Sequence, residues 1–286
     1  MQNIKELNKR IKSVSDTRKI TSAMYMVSSA KASKARQEFN SAHLYFEAFE
    51  KEMEQVLPLC RDADTVLTKY NPGKPDLCLV ITSDKGLVGS YNQNIIRFAE
   101  DFIKTGDNCV VRLMGEYGRQ YFVSHNLPFD ESSFRNNTQP DADKANELSG
   151  ELMRAALSGK YGKIFVIYTE FINELNTKPA AKQLLPLPSP EFAEETDTPA
   201  EILPEPKSLI DAIIPMYMSC AVYSALLNSW CSEQSARMMA MDTANRNADE
   251  MITVLTRSLN RARQEIITNE ISEIMSGVLN KRKDND

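Results

Sequence analysis

The stretch best suited to chemistry is Ser83-Asp84-Lys85-Gly86-Leu87-Val88-Gly89-Ser90, which follows an apolar run and precedes a helix-like pattern. Phosphate groups bind at such turns because backbone N–H groups and the helix dipole point outward. The glycine spacing here is GxxG, which is neither the GxGxxG of dinucleotide sites nor the GxxxxGK[ST] of phosphate loops. The segment therefore reads as a tight strand-to-helix turn, and no other segment offers a Walker pattern. ATP binding by this chain alone is not expected. Asp141 with Asp143, and Glu194 with Glu195, are paired carboxylates in name only. The first pair reads as an exposed helix cap and the second as an exposed linker. His43 and His125 stand apart from any nucleophile signature. The five cysteines, Cys60, Cys78, Cys109, Cys220 and Cys231, fit no CxxC spacing, so zinc is not expected and a reducing cytoplasm is the simplest setting. Cys220 and Cys231 would lie about 16 Å apart on a helix, too far to bridge. No catalytic, cofactor-binding or metal residue is assigned.

The elements that would position these residues are marked by their breakers. Residues 1–57 and 216–276 hold neither Gly nor Pro, while nine of the ten glycines fall between Gly73 and Gly162. Gly and Pro are the strongest local punctuators. The two runs predict helices about 80 and 90 Å long, far beyond the ordinary domain helix. In the last run, Leu227, Cys231, Gln234, Met238, Met241, Asn245, Ala248, Ile252, Leu255, Leu259, Ala262 and Ile266 alternate in threes and fours. That is a heptad seam. The first run gives Ile4, Leu7, Ile11 and Val14, then a register shift to Ile20, Met24 and Val27. It resumes through Phe46, Phe49, Met53 and Val56. Small residues around Ser28–Ala30 and at Ala32 and Ser33 suit close helix approach. The two runs pair antiparallel if the middle of the chain brings their ends together.

The middle reads as α/β. Strands are expected at Leu77–Thr82, Cys109–Met114, Ile164–Tyr168 and, at an edge, Lys182–Leu187. Helices are expected at Tyr91–Lys104, 115–124 and Asp141–Leu157, with Asp141 as N-cap. Leu127–Phe134 is a candidate edge strand. Strands alternating with helices predict a mainly parallel, Rossmann-like doubly wound sheet. The expected organisation is a coiled-coil helix over 1–57, an α/β domain over 75–187, a Pro- and Glu-rich linker over 188–207 and a second coiled-coil helix over 208–280. Ser208 with Asp211 resembles a capping box. Pro215 is expected to kink that helix or to reset its start to Met216.

Charge and composition narrow the function. The chain has 286 residues, 42% of them hydrophobic and 26% charged, with a net charge of −5. These values fit neither a disordered chain nor a multi-span membrane protein, and the acidic total disfavours a nucleic-acid binder. No stretch approaches roughly 18 consecutive apolar residues, and the start lacks the apolar core of a secretory signal. The first 40 residues hold nine Lys and Arg against three Asp and Glu, a local +6 in an acidic chain. Such a helix can bind nucleic acid, an anionic membrane or an acidic protein. No aromatic residue interleaves the charges before Tyr25, which disfavours a base-stacking surface.

Three segments carry a resemblance. They are Lys9–Val14 with Thr17–Val27; Ser83–Asn92; and Ser232-Glu233-Gln234-Ser235-Ala236-Arg237-Met238-Met239-Ala240-Met241 with Asn247-Ala248, Asn260–Gln264 and Ile267–Ile274. Together they resemble the γ subunit of the F-type ATP synthase over nearly the whole chain. Val88 and Ser90 depart from the family's usual Cys and Gly, and the charged end Lys281–Asp286 departs from its small apolar one. The resemblance implies a central rotary shaft that couples transmembrane ion flow to ATP synthesis and hydrolysis and regulates ATPase activity. It implies a non-catalytic subunit without an active site or cofactor of its own. Implied partners are three α and three β subunits, the ε subunit and the c-ring, with no nucleic acid. The implied location is peripheral to the bacterial inner or plasma membrane, on its cytoplasmic face. By motif, Lys9, Arg10 and Lys12 would face acidic β surface, and Met24 the lever region of a β subunit. Gln264, Thr268 and Glu270 would meet the catch loops of the head, and Ile271–Leu279 would enter its apolar bearing. Residues 36–46 and 200–208 would approach the ring. The competing readings are a dinucleotide-dependent enzyme, which lacks its glycine fingerprint, and a free coiled-coil tether or nucleic-acid clamp, which leaves the polar seam residues unexplained.

Overall fold

The structure is a computed structural model that describes residues 4–59, 71–106, 108–187 and 206–283. The linker residues 188–205, with Glu194 and Glu195, and Cys60 lie outside the described residues. Two long helices enclose the remaining elements in sequence: α1, Ile4–Leu59, and α5, Pro206–Lys283. Between them come β1 (Asp76–Ile81), α2 (Tyr91–Thr105), β2 (Cys109–Met114), α3 (Glu116–Ser124), a 3₁₀ turn (Glu131–Ser133), α4 (Ala142–Leu157), β3 (Ile164–Phe171) and β4 (Thr177–Leu185). The chain forms two compact units: residues 1–27 with 239–286, and residues 28–238.

In the second unit the four strands lie in the order β2-β1-β3-β4. β1 pairs in parallel with β2, Cys78 opposite Val111, and with β3, Cys78 opposite Phe165. β3 pairs antiparallel with β4. The sheet is thus mixed, with one antiparallel edge. Because β2 and β3 flank β1 on opposite sides, the chain reverses its winding at the C-terminal end of β1, the position where open α/β sheets place their functional crevices. β1 is buried along almost its whole length because both faces are covered. Leu77, Leu79 and Ile81 pack with α4 and α5 on one face; Cys78 and Val80 pack with α2 and with Phe122 of α3 on the other.

Four expectations are corrected. Leu127–Phe134 is not a strand. Asp130 N–H and Arg135 N–H donate to Val111 and Leu113 carbonyls, and a single bridge joins Met114 to Arg135. Pro128 offers no N–H to the β2 edge. β4 begins at Thr177, five residues earlier than expected, and carries Pro179, which an edge strand tolerates. Helix α5 starts at Pro206, a residue suited to a first helical turn, so Ser208 lies inside it and is no cap. The same helix continues through Pro215. Ile210, Ile214, Tyr217 and Met218 are buried against the sheet around that point, and at about 1.5–3 kcal/mol each they outweigh the roughly 3 kcal/mol that an internal proline costs.

No run of consecutive apolar residues reaches membrane length, yet α5 holds an 18-residue window with mean hydropathy 1.5. Its apolar side chains Ile214, Met218, Val222 and Leu226 belong to the sheet-facing core.

Candidate functional site: the helical seam and the turn at the end of β1

In the unit formed by residues 1–27 and 239–286, the seam on α5 follows the expected spacing. Met241, Ala248 and Leu259 are buried, and Asn245, Ile252, Leu255 and Ala262 are half-buried. Arg18 of α1 pairs with Asp249, and the Thr21 hydroxyl donates to Asn245 Oδ1. Positions rise on one helix as they fall on the other, so the helices run antiparallel. Carrying that register outward brings Val14 level with Ile252, Ile11 with Leu255, Leu7 with Leu259 and Ile4 with Ala262.

The register shift expected on α1 is absent. Ile20 and Val27 are exposed. The threes and fours continue from Val14 through Arg18, Thr21 and Tyr25, of which Thr21 and Tyr25 are half-buried. In the second unit the same spacing is taken up by Ser28, Ala32, Ala35, Phe46 and Met53, all buried. In each unit the spacing is kept by residues that are partly polar or small, which is why apolar residues alone pointed to the wrong face.

The residues assigned by resemblance fall in two places. Lys9 and Lys12 are exposed, as is Arg10, which is paired with Glu6 at 2.7 Å. Met24 is half-buried beside the seam. Gln264, Thr268 and Glu270 are exposed on α5, with the Thr268 hydroxyl turned back to the Gln264 carbonyl at 2.8 Å. They lie past Ala262, where the antiparallel register has run out of described α1 residues. Ile266, Ile267, Ile271, Ile274 and Met275 are exposed on the same segment. Among the described residues, α5 therefore extends alone, with open apolar side chains, beyond the two-helix seam.

The second unit holds a polar cluster at the end of β1. The Ser83 hydroxyl donates to the Lys85 carbonyl at 2.8 Å, and Asn92 at the start of α2 accepts from Ser83 N–H at 3.0 Å. Asp84 Oδ1 accepts from the backbone N–H groups of Glu116 at 3.1 Å and Asn137 at 2.9 Å. Asn137 Nδ2 returns a bond to the Thr82 carbonyl at 2.7 Å. Gly115, at φ +101°, closes the neighbouring strand end: a Cβ there would meet the Thr82 carbonyl oxygen at 2.2 Å. The side chains of Ser83, Asp84 and Asn92 thus hold the turn itself together.

From α5, Arg237 reaches this turn. Its Nη2 donates to the Lys85 carbonyl at 3.3 Å, and its Nη1 lies 2.8 Å from Glu233 Oε1. Gln234 adds an acceptor for Arg237 and a donor to Glu233, each at 3.2 Å. Burial pushes the Glu233 carboxyl up to about 7, against the pull of Arg237. Tyr91 of α2 donates to the Ser229 carbonyl, and burial pushes its hydroxyl pKa up as well. From the sequence, no site role falls to Glu233, Arg237 or Asn137, whereas Asp84 belongs to the strand-to-helix turn weighed there as a candidate. The i, i+4 spacing of Glu233 and Arg237 was a legible signal for their pairing.

The comparisons with known proteins agree across the chain. A family model described as ATP synthase matches residues 3–279. The sodium ion specific ATP synthase gamma chain of Acetobacterium woodii is 33% identical, over 96% of this chain and 98% of that protein. The ATP synthase gamma chain of Moorella thermoacetica is 35% identical over 97% and 98%. Among solved structures, a chain of the Tetrahymena thermophila mitochondrial ATP synthase central stalk and c-ring superposes with a TM-score of 0.59 at 26% identity, covering 79% of this chain and 99% of that one. The rotor of the Euglena gracilis mitochondrial enzyme shares the fold at a TM-score of 0.63 and 14% identity, over 92% and 98%. With its antiparallel helical seam and its α/β unit, this chain belongs to the ATP synthase gamma chain family.

Proposed function

We propose that the chain is the central shaft of a membrane-associated ATP synthase, turned by ion flow through a c-ring and turning inside a head of three α and three β subunits. The observation that carries this reading is the extension of α5 beyond a seam of two helices, apolar and, among the described residues, uncovered. A shaft of that form presents a different face to each of three chemically identical sites. Each site is biased toward a different conformation and nucleotide affinity, and rotation moves the bias from one site to the next. Only a differential interaction with the alternative site conformations can drive such a shift.

In this assignment Lys9, Arg10 and Lys12 offer cations to acidic β surface, and Met24 faces a β lever. Gln264, Thr268 and Glu270 offer polar contacts to the head, and the apolar residues from Ile271 onward enter its bearing. The α/β unit meets the ε subunit and the ring, on the cytoplasmic face of a bacterial membrane. The chain itself supplies no catalytic group. That reading is supported by the turn at the end of β1, where the side chains of Ser83, Asp84 and Asn92 are engaged with neighbouring groups of the protein.

The test is Met24→Lys in the assembled complex, assayed in inverted vesicles. A new cation in a contact already rich in basic groups is expected to leave ATP hydrolysis running while ATP-driven ion pumping is lost. Unchanged pumping per ATP hydrolysed would overturn the placement of Met24 at the sliding contact.

A further inference from the structure

Glu233 is a carboxyl in an unusual setting. Its side chain is 5% exposed and is paired with Arg237. Oε1 faces Arg237 and Gln234, while Oε2 is buried with no hydrogen-bond partner among the described residues. A buried carboxylate with one oxygen unsatisfied is poised to take a proton, because neutralising it removes the uncompensated charge.

We propose that Glu233 and Arg237 form a proton-gated clasp between α5 and the turn that ends β1. With Glu233 ionised, the carboxylate holds the guanidinium in place, and the guanidinium grips the Lys85 carbonyl. With Glu233 protonated, Arg237 is a nearly buried cation, 12% exposed, without its paired carboxylate. Its favoured state is then to swing into water and let the turn go. The groups facing Glu233 set the midpoint. Burial raises it most; Arg237 on the same helix lowers it; Asp84 of the turn raises it; Lys31 of α1 lowers it. Lys85 of the turn presents its carbonyl to Arg237, and Tyr91 of α2 faces the pair as a neutral phenol whose own pKa is raised by burial and by Glu233. With Arg237 gone and Glu233 still buried, the pull of the guanidinium is lost and the carboxyl holds its proton more tightly, so the ionised clasp dominates above a pKa of about 7 and is lost as pH falls through it. In a rotor of the kind proposed above, acidification would loosen the grip of the α/β unit on α5. The clasp itself does not depend on that reading.

The experiment is hydrogen exchange at the Ser83 and Tyr91 amides, which donate within the turn to Asn92 and to the Val88 carbonyl, in the assembled complex from pH 6 to pH 8, with each rate divided by that of the same unstructured peptide. Between one unit above and one unit below the midpoint the ionised fraction falls about tenfold, and protection of the turn is expected to fall with it. Glu233→Gln should show low protection at every pH. Lys31→Gln, at an exposed position, removes a cation that favours ionisation and should move the wild-type midpoint to higher pH. A pH-independent wild-type profile, an unmoved midpoint in Lys31→Gln, or a Glu233→Gln variant that keeps the wild-type slope would each overturn the clasp. None of these readouts uses ATP turnover, so their failure leaves the rotor reading to its own test.

Discussion

Leu7→Ala and Ile20→Ala form a matched pair that tests the seam. Apolar periodicity alone puts both residues in contact with α5. The structure buries Leu7 to 2% exposure and leaves Ile20 62% exposed. Leu→Ala in a closed core costs about 2.7–5.0 kcal/mol. A two-helix seam relaxes and hydrates more readily, so about 2 kcal/mol is expected for Leu7. A full Ile side chain contributes about 1.5–3 kcal/mol on burial, and only about a third of that is realised at Ile20. The better helix propensity of Ala returns a few tenths of a kcal/mol, which leaves a net loss of about 0.5 kcal/mol. Amide exchange across residues 4–27 and 245–262 of the purified chain reads these numbers as local opening. Leu7→Ala should speed exchange about thirtyfold, because 1.36 kcal/mol is a factor of ten. Ile20→Ala should change it by less than about threefold. Equal effects from the two substitutions would refute the unbroken register and restore a shifted seam.

Two further outcomes concern the α/β unit. Gly115→Ala places a methyl 2.2 Å from the Thr82 carbonyl oxygen at a positive φ. A loss of more than about 3 kcal/mol is expected, measured as the denaturation midpoint; a variant as stable as wild type would show that the β2–α3 junction is built differently. Asp141→Ala removes the acceptor for Lys144 N–H at 2.8 Å at the start of α4. About 1 kcal/mol should be lost in the same assay, and an unchanged midpoint would count against that cap.

The sequence was most legible where one physical cause sufficed. β1 was read from a continuous apolar run because both of its faces are covered, and α4 was read to within a residue because Asp141 caps it. Legibility failed where two causes competed. Pro215 reads locally as a break, but the burial of Ile214 and Met218 decides the outcome. Leu127–Phe134 has strand-like composition, but Pro128 and the bonding of Asp130 and Arg135 to the β2 edge make it a turn. Arg18 and Thr21 occupy seam positions without apolar side chains, so a search for apolar residues passed over them. At the candidate site, Asn137 and Gly115 had no local signal at all. Their roles arise from contacts with Thr82 and Asp84, dozens of residues away in the chain.

The polar layer in the seam bears on how far α5 extends. A seam of alternating apolar residues is degenerate: sliding by one heptad restores most of its contacts. Here sliding would also have a driving force, since it could cover some of Ile266, Ile267, Ile271, Ile274 and Met275, all exposed in the observed register. Each apolar side chain so covered would contribute up to about 1.5–3 kcal/mol. The Arg18–Asp249 pair is about half exposed, and a pair of that kind contributes only about 0–1 kcal/mol, so its attraction alone does not hold the register. The mismatch created by sliding does more. Moving α5 by a heptad in the direction that covers Ile266 and Ile267 would set Thr21 level with Ile252 and Arg18 level with Leu255, breaking the half-buried bond between Thr21 and Asn245 and setting the guanidinium against an apolar residue, at about 1–3 kcal/mol. Arg18 and Asp249 would each lose a counter-ion in the same step. Helix length alone would allow several overhangs; these four polar side chains select the one in which Gln264, Thr268 and Glu270 stand clear of α1.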